Sequence, residues 1–382
     1  MRKVPKRIYF DHSSTTNIHP DVLETYIELL HQYFVNSESL YDEGSEVSRM
    51  MEKARASIAG LLDIQSDEVI FTSSSSESNS LALKGVAFAN LDKKHIITTC
   101  VEHSSIISAC EQLKRLFGYE ITYLPVNEKG VVSLEDLKSA LREDTVLVSI
   151  MHVNNEVGSI NPIEEIAQYI KTKSHAYFHV DMTQSVGKVP IHLENIDLAS
   201  ISAHKIEGLK GSAILIKKRH VPIEPIISGG EQERGLRGGT TNAVTNMVFA
   251  KTLRYAIENQ KTHYDTVQSL HSYFLEELKK IDGLEINSPE DSIPFIINFS
   301  YEGIPSEVMQ NALNQRGFMV SARSTCDSHS VNPSHVLKAM GYSDKRASSC
   351  IRVSVSYENT KEEITSFIES LKEIIQRYGQ SV

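Results

Sequence analysis

Seven short apolar runs punctuate residues 65–220: EVIFT, KHIITT, YEITYLPV, TVLVSIM, AYFHVD, IDLASIS and SAILIKK. Between several of them lie ESNSLALKGVAFA, SSIISACEQLKRLFG and NPIEEIAQYIKT, in which apolar residues recur at helical spacing. Strands that alternate with helices pack most simply as a largely parallel sheet with helices on both faces. The spacing therefore predicts an α/β fold built on a mostly parallel seven-stranded sheet. Upstream, HPDVLETYIELLHQYF and EVSRMMEKARASIAGLL predict two helices, and residues 240–281 predict one long helix. From about residue 284 the pattern changes. Strands FIINFSY and IRVSVSY mix with helices near 305–316, 333–340 and 361–378, as in a smaller α+β unit. The 382 residues exceed what one small core organises. The expected division is an N-terminal segment (1–20), a large α/β domain (21–260) and a small α+β domain (261–382).

Composition narrows the function classes. The formal charge is −10 and no block of basic residues stands out, which argues against nucleic acid or an anionic membrane as the main partner. No apolar run approaches a membrane span, and the basic start MRKVPKRIYF has no apolar region behind it of the kind a secretory signal carries. Cys100, Cys110, Cys326 and Cys350 form no C-x-x-C pair and lie at no zinc-ligand spacing, so no metal site is expected. A reduced, cytoplasmic setting is expected, in which one thiol is free to act as a nucleophile.

In open α/β sheets, ligands sit where strands end and helices begin. Polar residues at those junctions are therefore the most informative. SISAHKIEGLKG places His204 and Lys205 where a strand that reads as buried meets a glycine-containing turn. Such an amine is either a surface group beyond the sheet edge or a buried nucleophile. VIFTSSSSES runs a strand into a helix. Ser74 and Glu77 fit a capping box there, and the N–H groups of Ser75 and Ser76 open the helix as an anion site for phosphate. A capped helix without a ligand is the plainer alternative. FHVDMTQSVG ends a strand with Asp181, followed by Gln184. Asp181 either caps the next turn or keeps the nitrogen of a pyridine ring protonated. TTCVEHSSI puts His103 at another junction, as a structural residue or as a ring stacked on a flat ligand. HVNNEVGSINPI adds Asn154 and Asn155, which either hydrogen-bond a ring hydroxyl or make a turn. Together and in this order, these residues match the needs of pyridoxal 5′-phosphate. Lys205 supplies the amine for a Schiff base, and Ser202 and His204 add phosphate donors.

At this point the sequence resembles a family. SAHKIEGLKG, HVDMTQSVGK, FTSSSSESNSLALKG, VNNEVG, GGEQERGLRGGT and FDHSSTT look like the cysteine desulfurases, which are pyridoxal-phosphate enzymes of the class V aminotransferase group. The resemblance spans nearly the whole chain. It implies the aspartate aminotransferase-like fold of type I transferases, and a homodimer with a large cofactor-binding domain and a small terminal one. It implies Lys205 as the Schiff-base lysine, Asp181 as the ring-nitrogen partner and His103 on the ring face. Gln184 and Asn155 fall near the ring hydroxyl, and Ser75, Ser76, Ser202 and His204 at the phosphate. Thr240 reaches the phosphate of the neighbouring subunit, and Asn36 and Arg352 match the binders of the substrate carboxylate. In SARSTCDSHSVNPSHVLKAMG, Cys326 matches the family's nucleophile, and its spacing to Pro333 resembles the longer-loop subgroup that feeds iron–sulfur assembly and tRNA thiolation. The implied reaction removes sulfur from L-cysteine, leaving L-alanine and a persulfide on Cys326. A cluster scaffold or a tRNA-modifying enzyme is the expected acceptor.

The chain also departs from the family's pattern. Arg323 stands where glycine is usual before the nucleophile, and Ser74 and Ser75 replace a glycine-alanine pair. NSES with Tyr41 replaces Asn-Pro-Ser-Ser with a following histidine. Glu207 and Leu209 replace tyrosine and proline, and Tyr357 stands where arginine is common. Arg323 carries two effects of opposite sign: its charge favours the thiolate, and its bulk stiffens the segment. The departures keep open a selenocysteine lyase, a β-lyase or an aminotransferase on the same fold. They also keep open a catalytically impaired homologue that acts in sulfur trafficking.

Overall fold

The computed structural model describes residues 7–322 and 333–379. The chain enters through a short strand, β1 (Ile8–Tyr9), and two helices, α1 (Pro20–Gln32) and α2 (Asp42–Leu62). The seven apolar runs then become β2 (Val69–Thr72), β3 (His95–Thr99), β4 (Glu120–Leu124), β5 (Thr145–Met151), β6 (Tyr177–Asp181), β7 (Leu198–Ser202) and β8 (Ala213–Lys217). They form one sheet in the order β2-β8-β7-β6-β5-β3-β4. β4, β3, β5, β6 and β7 run parallel, and β8 lies antiparallel to both β7 and β2. All residues of β5 are buried, as an unbroken apolar run demands of a strand covered on both faces.

The intervening patterns fold as helices: α3 (Ser75–Ser80), α4 (Val86–Ala89), α5 (Ser104–Phe117), α6 (Leu134–Ala140) and α7 (Ile163–Lys173). A π-helical turn at Leu81–Gly85 joins α3 to α4, so Ser75 opens a continuous helical run. One face of the sheet, including Ile97, Val148, Val180 and Ile201, packs on α2, α7 and α8 (Ala243–Glu258). The other face, including Ile70, Ile96, Leu147 and Leu215, packs on Leu81–Ala87 and on Ile106, Cys110 and Leu113 of α5.

The single long helix expected over 240–281 is two helices, α8 and α9 (Gln260–Leu278), that meet at Asn259. Asn259 caps the first helix by donating from Nδ2 to the Tyr255 carbonyl at 2.9 Å. Beyond it lie β9 (Glu285–Ile286), β10 (Ile296–Ser300), α10 (Ser306–Gln315), β11 (Phe318–Met319), α11 (His335–Ala339), α12 (Asp344–Ser348), β12 (Cys350–Ser354) and α13 (Lys361–Tyr378). The strand order β12-β10-β9 is antiparallel throughout. α13 opens on a capping box, Thr360 with Glu363, and buries Ile364, Phe367, Ile368, Leu371 and Ile374 along one face.

The N-terminal strand crosses to this second cluster. β1 pairs in parallel with β11 through Ile8↔Phe318 and Tyr9↔Met319. Phe10 is fully buried against the rings of Phe274 and Phe367, each 5.7 Å away. Residues 11–16 are thereby drawn across the C-terminal ends of the parallel strands.

Candidate cofactor and catalytic site

A cavity of about 250 Å³ opens at those strand ends. The turns after β2, β3, β5, β6 and β7 bring Ser75, Ser76, His103, Asn155, Asp181, Gln184, His204 and Lys205 to its wall, and Arg352 of β12 closes one side. Residues far apart in sequence thus meet because each sits at the same end of its strand.

Lys205 follows β7 in a short 3₁₀ turn. Its Nζ donates to the Ser13 and Ser14 carbonyls at 2.5 and 2.6 Å. Asp181 ends β6, nearly buried. One carboxylate oxygen accepts from Asn79 Nδ2 at 2.8 Å and the other from the Thr183 N–H at 2.9 Å. His103 caps α5, its Nδ1 accepting from the Ser105 N–H at 3.2 Å, which leaves Nε2 to carry the proton of a neutral ring. Behind it, Glu102 is fully buried, and Oε1 accepts from Thr99 Oγ1 and the Met151 N–H. Burial first, then the Asp181 charge, pushes this carboxyl up to about 8.

Ser74 caps α3 by accepting from the Glu77 N–H. The expected capping box is only half made. The Glu77 carboxylate reaches past Ser74 to the Ser73 N–H at 2.9 Å and pairs with Arg237 at 2.9 Å. Thr183 Oγ1 donates to Ser75 Oγ at 2.8 Å, tying the β6 turn to this helix start. Ser202 is buried, and its Oγ has no hydrogen-bond partner among the described residues. Burial, then the charges of Lys205, Lys210 and Lys188, lowers His204 to about 4, so its ring is neutral at pH 7.

Arg352 is 1 % exposed. It donates to the Asn155 carbonyl at 2.9 Å, to Asp11 Oδ1 at 3.1 Å and to Ser14 Oγ at 2.7 Å. Its buried Nε has no acceptor among the described residues. Asn154 makes the turn instead of lining the cavity: its Oδ1 accepts from the N–H groups of Glu156 and Val157.

Two candidates lie elsewhere in the protomer. Asn36 is exposed, with its Oδ1 accepting from the Glu38 N–H. Thr240 is exposed and lines a different hollow, with Arg237 and Asn242. Cys326 and Arg323 lie outside the described residues. Cys110 and Cys350 are buried and Cys100 is partly so. Two departures meet in space: the Tyr357 hydroxyl donates to Glu207 Oε2 at 2.9 Å.

The donor set suits pyridoxal phosphate. The hydroxyl-bearing residues Ser74, Ser75 and Ser76 and the start of α3 line the cavity wall. An anchored carboxylate, an amine and an imidazole line the same wall. Sequence reasoning missed Asn79, Ser13, Ser14, Asp11, Glu102 and Lys188, although FDHSSTT carries three of them.

Comparison with known proteins agrees with this geometry. Residues 8–367 match the aminotransferase class-V family. The cysteine desulfurase IscS of Dictyoglomus turgidum is 40% identical over 377 residues, covering 97% of this chain and 95% of that protein. The cysteine desulfurase IscS of Clostridium botulinum is 38% identical over 379 residues, with the same coverage. A solved NifS-like protein superposes with a TM-score of 0.91 at 37% identity, covering 97% of this chain and all of that one. Similarity of this extent takes in every strand of the large sheet and the cavity wall, and the chain therefore belongs to the aminotransferase class-V family, among its cysteine desulfurases.

Proposed function

We propose that this protein is a pyridoxal-phosphate-dependent cysteine desulfurase. The observation that carries the reading is one cavity faced at once by Lys205, Asp181 and the buried Arg352. When bound, the cofactor supplies an electron-poor ring that accepts electrons from a substrate carbon attached to its aldehyde. Lys205 would hold that aldehyde, and its Nζ would be the base for the substrate α-proton. Asp181, held by Asn79 and Thr183, keeps the ring nitrogen protonated. His103 would face the ring, and Asn155 and Gln184 would serve its hydroxyl; all three line the cavity. Ser75, Ser76, Ser202 and His204 hold the phosphate. Arg352 would meet the substrate carboxylate through its unpartnered Nε–H.

The Cys326 thiolate attacks the substrate sulfur. An S–S bond forms as the C–S bond breaks, the bonding pair stays on carbon, and protonation there gives alanine. The persulfide passes to an acceptor in iron–sulfur assembly or tRNA thiolation, in the cytoplasm. The organisation is a cofactor domain over 21–260 and a small domain over 261–382.

A homodimer accounts for α1. Its inner side buries Val22 and packs Tyr26 and Leu29, yet Leu23, Ile27 and Leu30 on the outer side are 41, 48 and 44 % exposed, followed by Phe34 at 84 %. A helix apolar on both sides needs a second partner. A second copy also gives Thr240 a phosphate to reach.

Mass spectrometry after exposure to L-cysteine tests the nucleophile. The wild-type protein is expected to gain one sulfur atom on Cys326. Cys326→Ala is expected to bind the cofactor unchanged while losing both that sulfur and alanine release. Alanine release at the wild-type rate from C326A overturns the assignment.

A further inference from the structure

Lys188 is a buried lysine that the reaction above does not use. Lysine is almost never buried unless paired, because removing an ammonium from water is costly. The charges that Lys188 faces make burial worse: Lys205 and Arg352 stand near it, and together with burial they lower its amine to about 7. An apolar side chain would fill the same space without that cost, so the amine itself has work to do.

Its placement is built in. Gly187 takes φ 73°, which folds the turn after β6 back on itself. A side chain at Gly187 would come within 3.1 Å of the Ala256 Cβ. The Lys188 carbonyl accepts from Gln260 Nε2 at 3.0 Å, anchoring the turn to α9. Lys188 Nζ then donates to Gln184 Oε1 at 2.6 Å. At the other end of the same amide, Gln184 Nε2 donates to the Ser13 carbonyl at 2.8 Å, the carbonyl that also accepts from Lys205.

An amide presents one acceptor and one donor end; the Ser13 carbonyl can only accept, and Lys188 meets Oε1 with an N–H. The pair Lys188–Gln184 therefore has one arrangement, with oxygen toward the lysine and nitrogen toward Ser13. Nε2 has a second hydrogen, and Gln184 lines the cavity. We infer that Lys188 is a positioning residue that locks the Gln184 amide with its donor end toward the cofactor cavity. Gln184 can then give a hydrogen bond to an anionic ring oxygen and cannot turn its own oxygen against it. This inference rests on the pyridoxal-phosphate reading of the cavity.

The test is cofactor affinity, followed by the visible absorbance of the bound cofactor as it is titrated into apoprotein, with thermal unfolding as the control for folding. Lys188→Met removes the donor and is expected to loosen the cofactor about tenfold, the scale of one lost hydrogen bond. Lys188→Gln keeps a donor without the charge and is expected to hold the cofactor nearly as the wild type does. In a Gln184→Leu background, Lys188→Met is expected to add little, because the amide it orients is gone. Should K188M fail to fold, Lys188→Glu takes its place. A carboxylate is tolerated beside Lys205 and Arg352, and it draws the amide nitrogen away from the cavity. Wild-type affinity in the folded variant overturns the inference, as do K188M and Q184L effects that simply multiply. A wild-type protein that takes up no cofactor overturns the functional reading itself, which is a different result.

Discussion

Asp181, on the cavity wall, and the fully buried Glu102 are two carboxyls with unequal support. Asp181 accepts from an amide and a backbone N–H, whereas Glu102 Oε2 is buried with no partner among the described residues. The folded state therefore binds a proton at Glu102 more tightly than the unfolded chain does. Its contribution to stability is fully present below pH about 4.5 and is lost as the pH rises toward about 8. Glu102→Gln resembles the protonated form and carries no such loss. Thermal unfolding of the two proteins across this range is expected to show E102Q gaining on the wild type as pH rises, and parallel curves would refute it. The side chains around the cofactor were legible in the sequence because a polar residue at the end of an apolar strand is conspicuous. Ser13 and Ser14 were not, because they hold Lys205 through backbone carbonyls, which no side-chain pattern reports. Lys188 was hidden for a related reason: its meaning lies in what Gln184 touches, which only the folded chain displays.

Among the elements, the loop after β8 is pinned by a buried ion pair. Arg55 of α2 donates to both Glu233 oxygens at 2.8 and 3.0 Å and to the Val69 carbonyl at 2.6 Å, and Glu233 also accepts from the Phe71 N–H at 2.8 Å. The pair holds α2, β2 and the GGEQERGLRGGT segment together while Glu233 and Arg234 sit at φ 47° and 58°, a region that favours glycine. Arg55→Leu strands a buried carboxylate and is expected to cost about 3–5 kcal/mol, read from the urea midpoint. Replacing Arg55 and Glu233 together by apolar residues is expected to cost less than R55L alone. Most of the seven strands were readable because their burial keeps them largely apolar; β4, at the edge of the sheet, is the exception with Glu120 exposed. The break at Asn259 was not: one helical period runs on from α8 into α9, and a single capping side chain divides them. β1 and β11, at two residues each, are too short to show any period.

For the molecule as a whole, the proposed homodimer places the exposed apolar outer side of α1 at the interface. Ile27→Lys puts a charge in the middle of the exposed apolar stripe and is expected to yield a monomer by sedimentation, with weakened cofactor retention because Thr240 loses its target. A monomeric wild type would rule out that role for α1. The strap formed by residues 8–16 has a separate consequence. Its first strand pairs with residues 318–319, and the Ser13 N–H donates to Ser354 Oγ across 341 positions. During synthesis the start of the chain emerges first, yet its resting place does not exist until some 350 residues have left the ribosome. The large sheet can close earlier, around strands that all lie before residue 218. The Ser13 and Ser14 carbonyls that grip Lys205 therefore reach it through a strap whose own docking partners, residues 318–319 and Ser354, are made more than a hundred residues after Lys205.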